Sequence, residues 1–597
     1  MKLYRNQASV CLEWQGDWNA DGYLLMPGAV YAGNRHRCLS LPYPPFVPRG
    51  EWRRPDSEIL VTDIPRLSWE EGPSDIYLRS GDLSTPAIGY FDPDCKRAVL
   101  LCGVHKTPYG YTGFEVHESP DRKICKILYT AQAVRPYRYT MCCSHSSSRD
   151  ETGSPAEYDS GFELPYRLFE FSCQSVNELL DRFMTERKCM DEDSSLIENP
   201  DYQELMRTYI QKYNQYNWHP TENYYMSGTG GNLYQEWQSG WTGGGMFPLA
   251  LYRAGDELTR QRVVRSIDYY FTKFQRENGF FYGVYYQGTI YGDDFAHPED
   301  TQILMSRKQA DMLYYLLLQY REFGEERLLW REGLHRGLEA MCRIYERYGH
   351  WGQFIDCDRE EILIGGTASA GLMPAALMLA YKIFGEERYR EIALESGRYY
   401  CENFTEKGIA NGGPGEILQC SDSEAAFALV ESYVVLYEET KDLYWLEAAK
   451  KAANLFATWV VSYNFEFPVD CEFGRLGIKT TGSVIANCQN KHSAPGIATM
   501  SGESLLRLYR YTGDHRYYDL ICDIAVNIPQ YTSTQKRPIH AVDGGILPPG
   551  FSCERVNMSD WEGEDWIGGV WNGSCCWCET AAMLTAAGPL AEEFGKH

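Results

Sequence analysis

The sequence predicts an N-terminal antiparallel β-sandwich over residues 1–190, followed by an (α/α)6 toroid of six helical hairpins over residues 191–597. Three observations predict this class. They are short strand patterns punctuated by Pro and Gly, a recurring helix–turn–helix unit, and long loops that precede only one class of helix. A chain of 597 residues also exceeds the usual size of a single core, which favours two domains.

The region before about residue 190 has the pattern of sandwich strands. Alternating or continuous apolar runs of four to seven residues lie between turn residues, at 98–104, 113–116, 125–129 and 167–171. Ser175 then precedes an amphipathic run over 176–184, which predicts a capped linker helix. We expect this domain to pack against the barrel.

A helical hairpin recurs roughly every sixty residues in the rest of the chain. Five times, a helix ending in Tyr is followed by a short acidic junction and a second helix, at 252–257, 320–327, 381–388, 437–442 and 509–516. Gly in these junctions stops the first helix, and Asp or Glu begins the next. Such a period predicts an array of helix pairs.

Composition sorts the helices into two classes. Helices rich in Gly, Ala, Ser, Leu and Met are predicted to be inner, at about 240–252, 301–320, 366–381, 422–437, 497–509 and 575–587. Helices with one charged face are predicted to be outer, at about 199–217, 257–277, 326–346, 387–404, 443–463 and 514–528. The first outer helix is left to pair with the last inner one, which predicts a closed ring.

Every connection from an outer to an inner helix is long. The six loops span about 218–239, 279–300, 348–365, 405–421, 464–496 and 530–574. Loops of this length in a compact domain are usually functional. Because all six open at the N-termini of the inner helices, we expect a cleft there.

Composition restricts the class of partner. The net charge of −25 and the pI near 5.0 argue against nucleic acid and anionic membranes. The sequence has no apolar run of membrane-spanning length and no signal-peptide core, so we expect a cytoplasmic protein. No cofactor is expected, and a homodimer is left open. The 20 scattered cysteines fit free thiols in a reducing compartment, and the 45 tyrosines and 15 tryptophans favour a carbohydrate ligand.

The central motif is residues 419–424, which run into an uninterrupted apolar helix. Ser421 or Asp422 is a suitable N-cap, and Glu424 lies in the first turn. Two carboxylates at a helix start in the predicted cleft indicate acid–base chemistry. The alternative is that Asp422 and Glu424 only cap a buried helix.

The other loops supply further candidates. Glu236 and Glu416 are the next catalytic candidates, and the glycines around Glu236 favour close approach of a substrate over a nucleotide site. Asp300 ends an acidic loop that would alternatively suit calcium. Predicted substrate contacts are Asp300, Trp237, Trp241, His350, Gln489, Asn490, His492, Arg555, Asp560 and Trp561.

A metal site is predicted to be absent, with one alternative. Cys553, Cys575, Cys576 and Cys578 are adjacent enough to supply thiolates to zinc, but their spacing matches no recognised ribbon or finger. Cys575, Cys576 and Cys578 also fall at an inner helix start. We therefore favour cysteines that only pack.

The sequence resembles bacterial (α/α)6-barrel glycosidases of the β-glucuronidase and unsaturated glucuronyl hydrolase kind. The resemblance lies in a sandwich before six helical hairpins and in the motifs at residues 412–416, 421–424, 489–496 and 557–562. The resemblance implies hydrolysis of a uronic-acid-containing oligosaccharide or glycoside by paired carboxyl groups. Arg555 would then bind the uronate. The alternatives are a polysaccharide lyase, a zinc-dependent arabinofuranosidase-like hydrolase and a non-catalytic carbohydrate-binding protein.

Overall fold

The computed structural model describes residues 1–38, 54–56, 59–61, 63–70, 72–136, 138–139, 158–191, 200–415, 417–490, 492–496, 500–563, 566–571, 573 and 576–595. The predicted site residues Glu416 and Cys575 lie outside these ranges. The described chain is a mixed fold of many helices and several sheets.

The N-terminal region contains two five-stranded antiparallel sheets. The first has the order Lys2–Arg5, Ser9–Gln15, Ile124–Thr130, Gly113–Glu118 and Ser74–Arg79, and the second has the order Tyr166–Ser172, Arg97–Gly103, Ala87–Asp92, Tyr23–Met26 and Val30–Tyr31. Residues of both sheets form one buried cluster, which includes Leu12, Ile127, Leu24 and Leu101. The two sheets therefore share a core.

The second sheet also faces the helices. The strand Ala87–Asp92 is buried at every position, whereas Ser9–Gln15 alternates in burial as a strand with one solvent face does. Leu25 and Leu100 pack in a second buried cluster with Leu179 and Leu180 of the helix Val176–Glu186. This is the predicted linker helix, and Ser175 caps it by accepting a hydrogen bond from the Glu178 amide.

The helices occur in consecutive pairs. The longer ones are Tyr202–Lys212, Pro248–Ala254, Glu257–Tyr269, Ser306–Gln319, Leu328–Tyr348, Met373–Phe384, Glu387–Asn403, Ser423–Thr440, Leu443–Ala457, Glu503–Thr512, His515–Asn527 and Cys576–Ala586, with the short helices Glu472–Leu476 and Pro589–Phe594. Gly385 and Gly513 end their helices with positive φ, as the junction pattern predicts.

Contacts between the apolar helices place them in one order. Neighbours in this order are Cys576–Ala586, Pro248–Ala254, Ser306–Gln319, Met373–Phe384, Ser423–Thr440 and Glu503–Thr512, and each also contacts its own outer helix. Cys576–Ala586 contacts Tyr202–Lys212, which is the predicted pairing of the last inner helix with the first outer one.

The long loops carry short strands of their own. These are Trp218–His219, Tyr224–Tyr225, Trp237–Gln238, Val284–Tyr286, Thr289–Tyr291, Ile303–Met305, Phe354–Asp356, Glu361–Ile364, Val484–Ile485 and Ser493–Ala494, and shorter pairs at Arg37–Cys38 with Leu60–Val61 and Lys106–Thr107 with Gly110–Tyr111 lie in the N-terminal region. Within the described ranges, no helix combines the length and apolar composition that a membrane crossing requires.

Candidate functional site

Asp422 is the N-cap of the helix Ser423–Thr440, as its sequence position predicts. Its backbone is extended, and its side chain accepts hydrogen bonds from the amides of Ala425 (2.6 Å) and Gly413 (2.9 Å). The side chain is fully buried. Burial raises the pKa of the Asp422 carboxyl to about 7, against the opposing effect of the two amide donors. Asp422 thus joins loop 410–413 to the helix start.

Glu424, two residues later, faces a different set of groups. Its carboxylate accepts a hydrogen bond from the Trp241 indole N–H at 3.0 Å and forms an ion pair with Arg307. The Glu424 side chain is 12% exposed, whereas that of Arg307 is 3% exposed. A buried guanidinium beside a carboxylate favours its ionised form.

Arg307 and Lys308 begin a buried polar layer beneath Trp241. Their charged groups lie 6.0 and 5.7 Å from the centre of the Trp241 ring. Arg307 also donates to Asp311 (3.1 Å), a fully buried carboxyl whose pKa burial raises to about 6. Lys308 donates to Asp293 at 2.5 Å. Arg307 thus contacts both Trp241 and Glu424, and Lys308 contacts Trp241.

The fifth loop joins this helix start through backbone hydrogen bonds. The Ser423 amide donates to Ala486 O (3.0 Å), the Cys488 amide donates to Ser421 O (3.0 Å), and Asp422 and Asn487 form an antiparallel bridge. The sixth loop joins in turn, because Ser493 and Val556 exchange amide hydrogen bonds. Three loops therefore have a fixed register around one helix end.

A second set of polar side chains, from His492, Glu562 and Arg555, lies in the fifth and sixth loops. The Nδ1 atom of His492 lies 3.2 Å from the Glu562 carboxylate, which also accepts a hydrogen bond from Arg555 at 3.0 Å. His492 and Glu562 are 5% and 3% exposed. A carboxylate at one ring nitrogen fixes the orientation of the imidazole, as in sites where histidine transfers a proton.

Two buried amide oxygens nearby have no hydrogen-bond partner among the described residues. Gln489 Oε1 and Asn490 Oδ1 accept no hydrogen bond from any described residue, although the two side chains are only 5% and 6% exposed. An unpaired buried acceptor is costly, about 1–3 kcal/mol each. A hydroxylated ligand would satisfy both acceptors.

Several predicted site residues lie elsewhere. Trp237 is fully buried against Phe274, with ring centres 4.0 Å apart, so no face of its ring is open to a sugar. His350 stacks on Tyr399 of an outer helix. Glu236 accepts hydrogen bonds from the Tyr224 hydroxyl and the Gln287 amide, and Asp300 is half-buried in the second loop.

Asp560 and Trp561 connect the two halves of the chain. Arg135 donates to Asp560 (2.9 Å) and to Asp82 (2.7 Å), and all three side chains are buried. Trp561 stacks on Tyr139 and is 1% exposed. These two residues hold the N-terminal region against the sixth loop and present no open surface to a substrate.

Two of the cysteines proposed as alternative zinc ligands, Cys576 and Cys578, belong to the helix Cys576–Ala586. The thiols of Cys576 and Cys578 point to Gln235 and to the Glu554 carbonyl, and burial raises the pKa of the Cys553 thiol. Among the described residues, no group of three or more His, Cys, Asp or Glu side chains is placed to hold a metal ion.

Sequence reasoning missed four of the charged groups: Arg307, Lys308, Asp311 and Glu562. A signal existed for the first three, because residues 306–311 place three charges in a helix predicted to be inner. Charged residues in a buried helix require partners, and such partners cluster at functional sites.

No protein-family model matches the chain, and no curated protein does either. Solved structures similar to it include a D-mannose isomerase, at 13% identity and TM-score 0.42, covering 66% of this chain and 99% of the isomerase. A cellobiose 2-epimerase from Bacillus thermoamylovorans B4167 has 12% identity and TM-score 0.43, covering 64% and 98%. A glycoside hydrolase family 76 mannosidase from Bacteroides thetaiotaomicron VPI-5482 has 14% identity and TM-score 0.41, covering 66% and 99%. None of the three is a glucuronidase by name. At these sequence identities and TM-scores, the similarity does not indicate a reaction.

Proposed function

We propose that the protein is a carbohydrate-active enzyme that hydrolyses a glycosidic bond. In this proposal, residues 1–190 form a β-sandwich domain and residues 191–597 a closed (α/α)6 barrel. The two sheets with a shared core and the contact order of the apolar helices support this architecture.

One observation carries the functional proposal. A partly exposed carboxylate, a tryptophan ring, an oriented histidine and two unpaired amide oxygens belong to loops that are hydrogen-bonded around a single helix start. Convergent polar groups beside an aromatic ring are typical of a binding site for a small polar molecule. Sugars offer hydroxyls to the polar groups and an apolar ring face to the tryptophan.

Each group then has a chemical role. Glu424, which forms an ion pair with Arg307, stabilises positive charge at the anomeric carbon or activates the attacking group. His492, oriented by Glu562, transfers the proton to or from the leaving oxygen. Asp422 has no exposed surface, so its role is to position loop 410–413 and the helix start.

The finer specificity in the proposal is a uronic-acid-containing glycoside. Arg555 has a side chain that is 14% exposed and lies against both Glu562 and the Trp566 ring. A guanidinium can bind a sugar carboxylate through two parallel hydrogen bonds. Loss of activity on glucuronides alone in Arg555→Lys, with neutral glycosides unaffected, would support this assignment.

Proton abstraction is the second candidate reaction. The hydrogen bond between His492 and Glu562 favours it, because an oriented imidazole can remove a proton next to a sugar carboxylate, as a polysaccharide lyase requires. Such a reaction forms a new carbon–carbon double bond. The product would absorb ultraviolet light, whereas a hydrolysis product would not.

The test is turnover of aryl glycosides, including glucuronides, and of uronate polymers by the wild type and Glu424→Gln. We expect glycoside hydrolysis that falls by roughly a thousandfold in the variant. The matched control is Glu257→Gln, which makes the same change in the first turn of an exposed outer helix and should retain activity within about twofold. Full activity in Glu424→Gln would refute the assignment, and an absorbing product would select the lyase reaction.

A further inference from the structure

A stacked pair of tryptophans lies in the sixth loop, next to Arg555. The Trp566 and Trp571 rings have their centres 4.5 Å apart and their planes at 17°. Among the tryptophans that the structure describes, Trp69 and Trp571 are the two exposed ones, at 49% and 41%. A ring that is covered on one face by a parallel ring keeps its other face for solvent. Trp571 therefore presents an indole face at the protein surface.

Side-chain contacts connect this pair to the candidate site. The Arg555 guanidinium lies 5.4 Å from the centre of the Trp566 ring. Arg555 also donates a hydrogen bond to Glu562 at 3.0 Å, and the Glu562 carboxylate lies 3.2 Å from the Nδ1 atom of His492. A continuous series of contacts thus leads from His492 to the exposed ring of Trp571.

Backbone hydrogen bonds fix the segment that carries the two rings. The Gly568 amide donates to Asn557 O (3.1 Å), and Gly568 O accepts from the Phe473 amide (2.9 Å). The Val542 amide donates to Val570 O (3.1 Å). The segment is therefore tied to three other parts of the loops. A surface that is ordered before binding loses less conformational entropy when a ligand binds.

Continuity with the candidate site favours a sugar as the ligand of this face. Sugars offer an apolar ring face to an indole and hydroxyls to charged groups, and both kinds of group occur between Trp571 and Arg555. The exposed Val542, bonded to Val570, also fits a contact with a second copy of the chain. Such a contact would not account for the series of contacts that leads from the rings to His492.

We propose that Trp566 and Trp571 form an outer sugar-binding subsite, so that the preferred substrate is an oligosaccharide or polysaccharide. One sugar unit packs its apolar face on the Trp571 ring, and the chain continues past Arg555 towards His492. The inference rests on the proposed function for the place of cleavage, but the stacking of a sugar on Trp571 does not depend on cleavage.

Calorimetric titration of the full-length Glu424→Gln protein tests the subsite without cleavage of the ligand. The ligands are glucose, xylose, mannose and galacturonate, each as the monosaccharide and as its β-1,4-linked (for galacturonate, α-1,4-linked) trisaccharide and hexasaccharide. We expect at least one series to bind more tightly as the chain lengthens. Adding Trp571→Ala should weaken hexasaccharide binding about tenfold and remove that gain with length. Trp571→Phe keeps an aromatic face and should lose about threefold or less.

Trp69→Ala in the same background is the matched control, because it removes a similarly exposed tryptophan from the N-terminal region and should leave every affinity unchanged. Circular dichroism checks the folding of each variant. If no hexasaccharide binds, or if every affinity survives Trp571→Ala, the subsite is refuted even where aryl glycosides are hydrolysed as proposed. Binding that depends on Trp571 without hydrolysis of any glycoside would keep the subsite and refute the proposed function. A dimer that dissociates in Trp571→Ala, measured by light scattering, would assign this face to a second copy and overturn the subsite.

Discussion

Asp422→Ala tests whether Asp422 acts as a structural cap. In the wild type, its two carboxyl oxygens accept the amide N–H groups of Ala425 and Gly413, and no part of the side chain reaches solvent. Alanine removes both acceptors. Two buried amides then lose their partners at once, and the helix Ser423–Thr440 loses its N-cap.

The cost can be worked from these contacts. Each buried amide left unpaired costs about 1–3 kcal/mol, so we expect the loss of two partners in Asp422→Ala to destabilise the helical region by about 2–6 kcal/mol. Unfolding entropy is about 2.1 cal/mol/K per residue, or roughly 0.8 kcal/mol/K for about 400 residues. The melting temperature should therefore fall by about 2–7 °C.

The effect should also depend on pH with a definite sign. Burial raises the pKa of Asp422 to about 7, above the ordinary aspartate value. The folded state therefore retains a proton that the unfolded state has lost, and the stability this carboxyl contributes decreases as the pH rises from about 4 towards 7. The difference in melting temperature between the wild type and Asp422→Ala should be larger at pH 5 than at pH 8.

Thermal unfolding followed by circular dichroism measures both quantities. Asp442→Ala is the matched control, because Asp442 is exposed and caps the next helix by accepting one hydrogen bond from the Tyr444 amide. We expect that control to lose about 1 °C and to show no comparable pH trend. A wild-type melting temperature in Asp422→Ala, or a difference that grows from pH 5 to pH 8, would refute the reasoning.

Three further predictions concern other charged groups. His492→Ala should reduce turnover about 10²–10⁴-fold, and Glu562→Gln should shift the pH–rate profile; an unchanged profile would remove His492 from proton transfer. Arg135→Met should lower stability by about 3–5 kcal/mol in thermal unfolding, because two buried aspartates each lose a paired guanidinium. Arg79→Met, which removes the more exposed guanidinium paired with Asp560, should cost less than half of that. Burial lowers the pKa of His117, but hydrogen bonds to two carboxylates outweigh burial and raise this pKa. The stability that protonated His117 provides is therefore present below about pH 6.5 and is lost as the pH rises further. His117→Gln should reduce the melting temperature at pH 5.5 but not at pH 9.

The apolar periodicity predicted which segments are helical more accurately than it predicted the residue at which each helix begins. The inner helix expected at 240–252 is observed at Pro248–Ala254, because residues 240–245 form tight turns in which Gly240, Gly243 and Gly245 have positive φ. Pro248 then occupies the first helical turn. Turns rich in Gly continue an apolar pattern without the backbone of a helix, so periodicity alone places the start too early.

The sequence predicted only those features of the site that depend on adjacent residues. The N-cap at Asp422 and the first-turn position of Glu424 follow from adjacent residues. The partners of Glu424 do not, because Trp241 lies 183 positions away and Arg307 belongs to another hairpin. Trp237 and Trp241 occupy the same loop, yet the first is buried and the second is partly open, and no sequence period distinguishes positions in an irregular loop.

The helix start explains why two carboxylates so close in sequence have different roles. Asp422 is extended and paired with Asn487, so its side chain meets the amides of loop 410–413. Glu424 is in the first helical turn, and its side chain meets Trp241 and Arg307. The change from extended to helical backbone between them separates the two side chains, and the same backbone transmits any disturbance of Asp422 to Glu424. Activity lost in an Asp422 variant therefore identifies a chemical role only if the variant is as stable as the wild type.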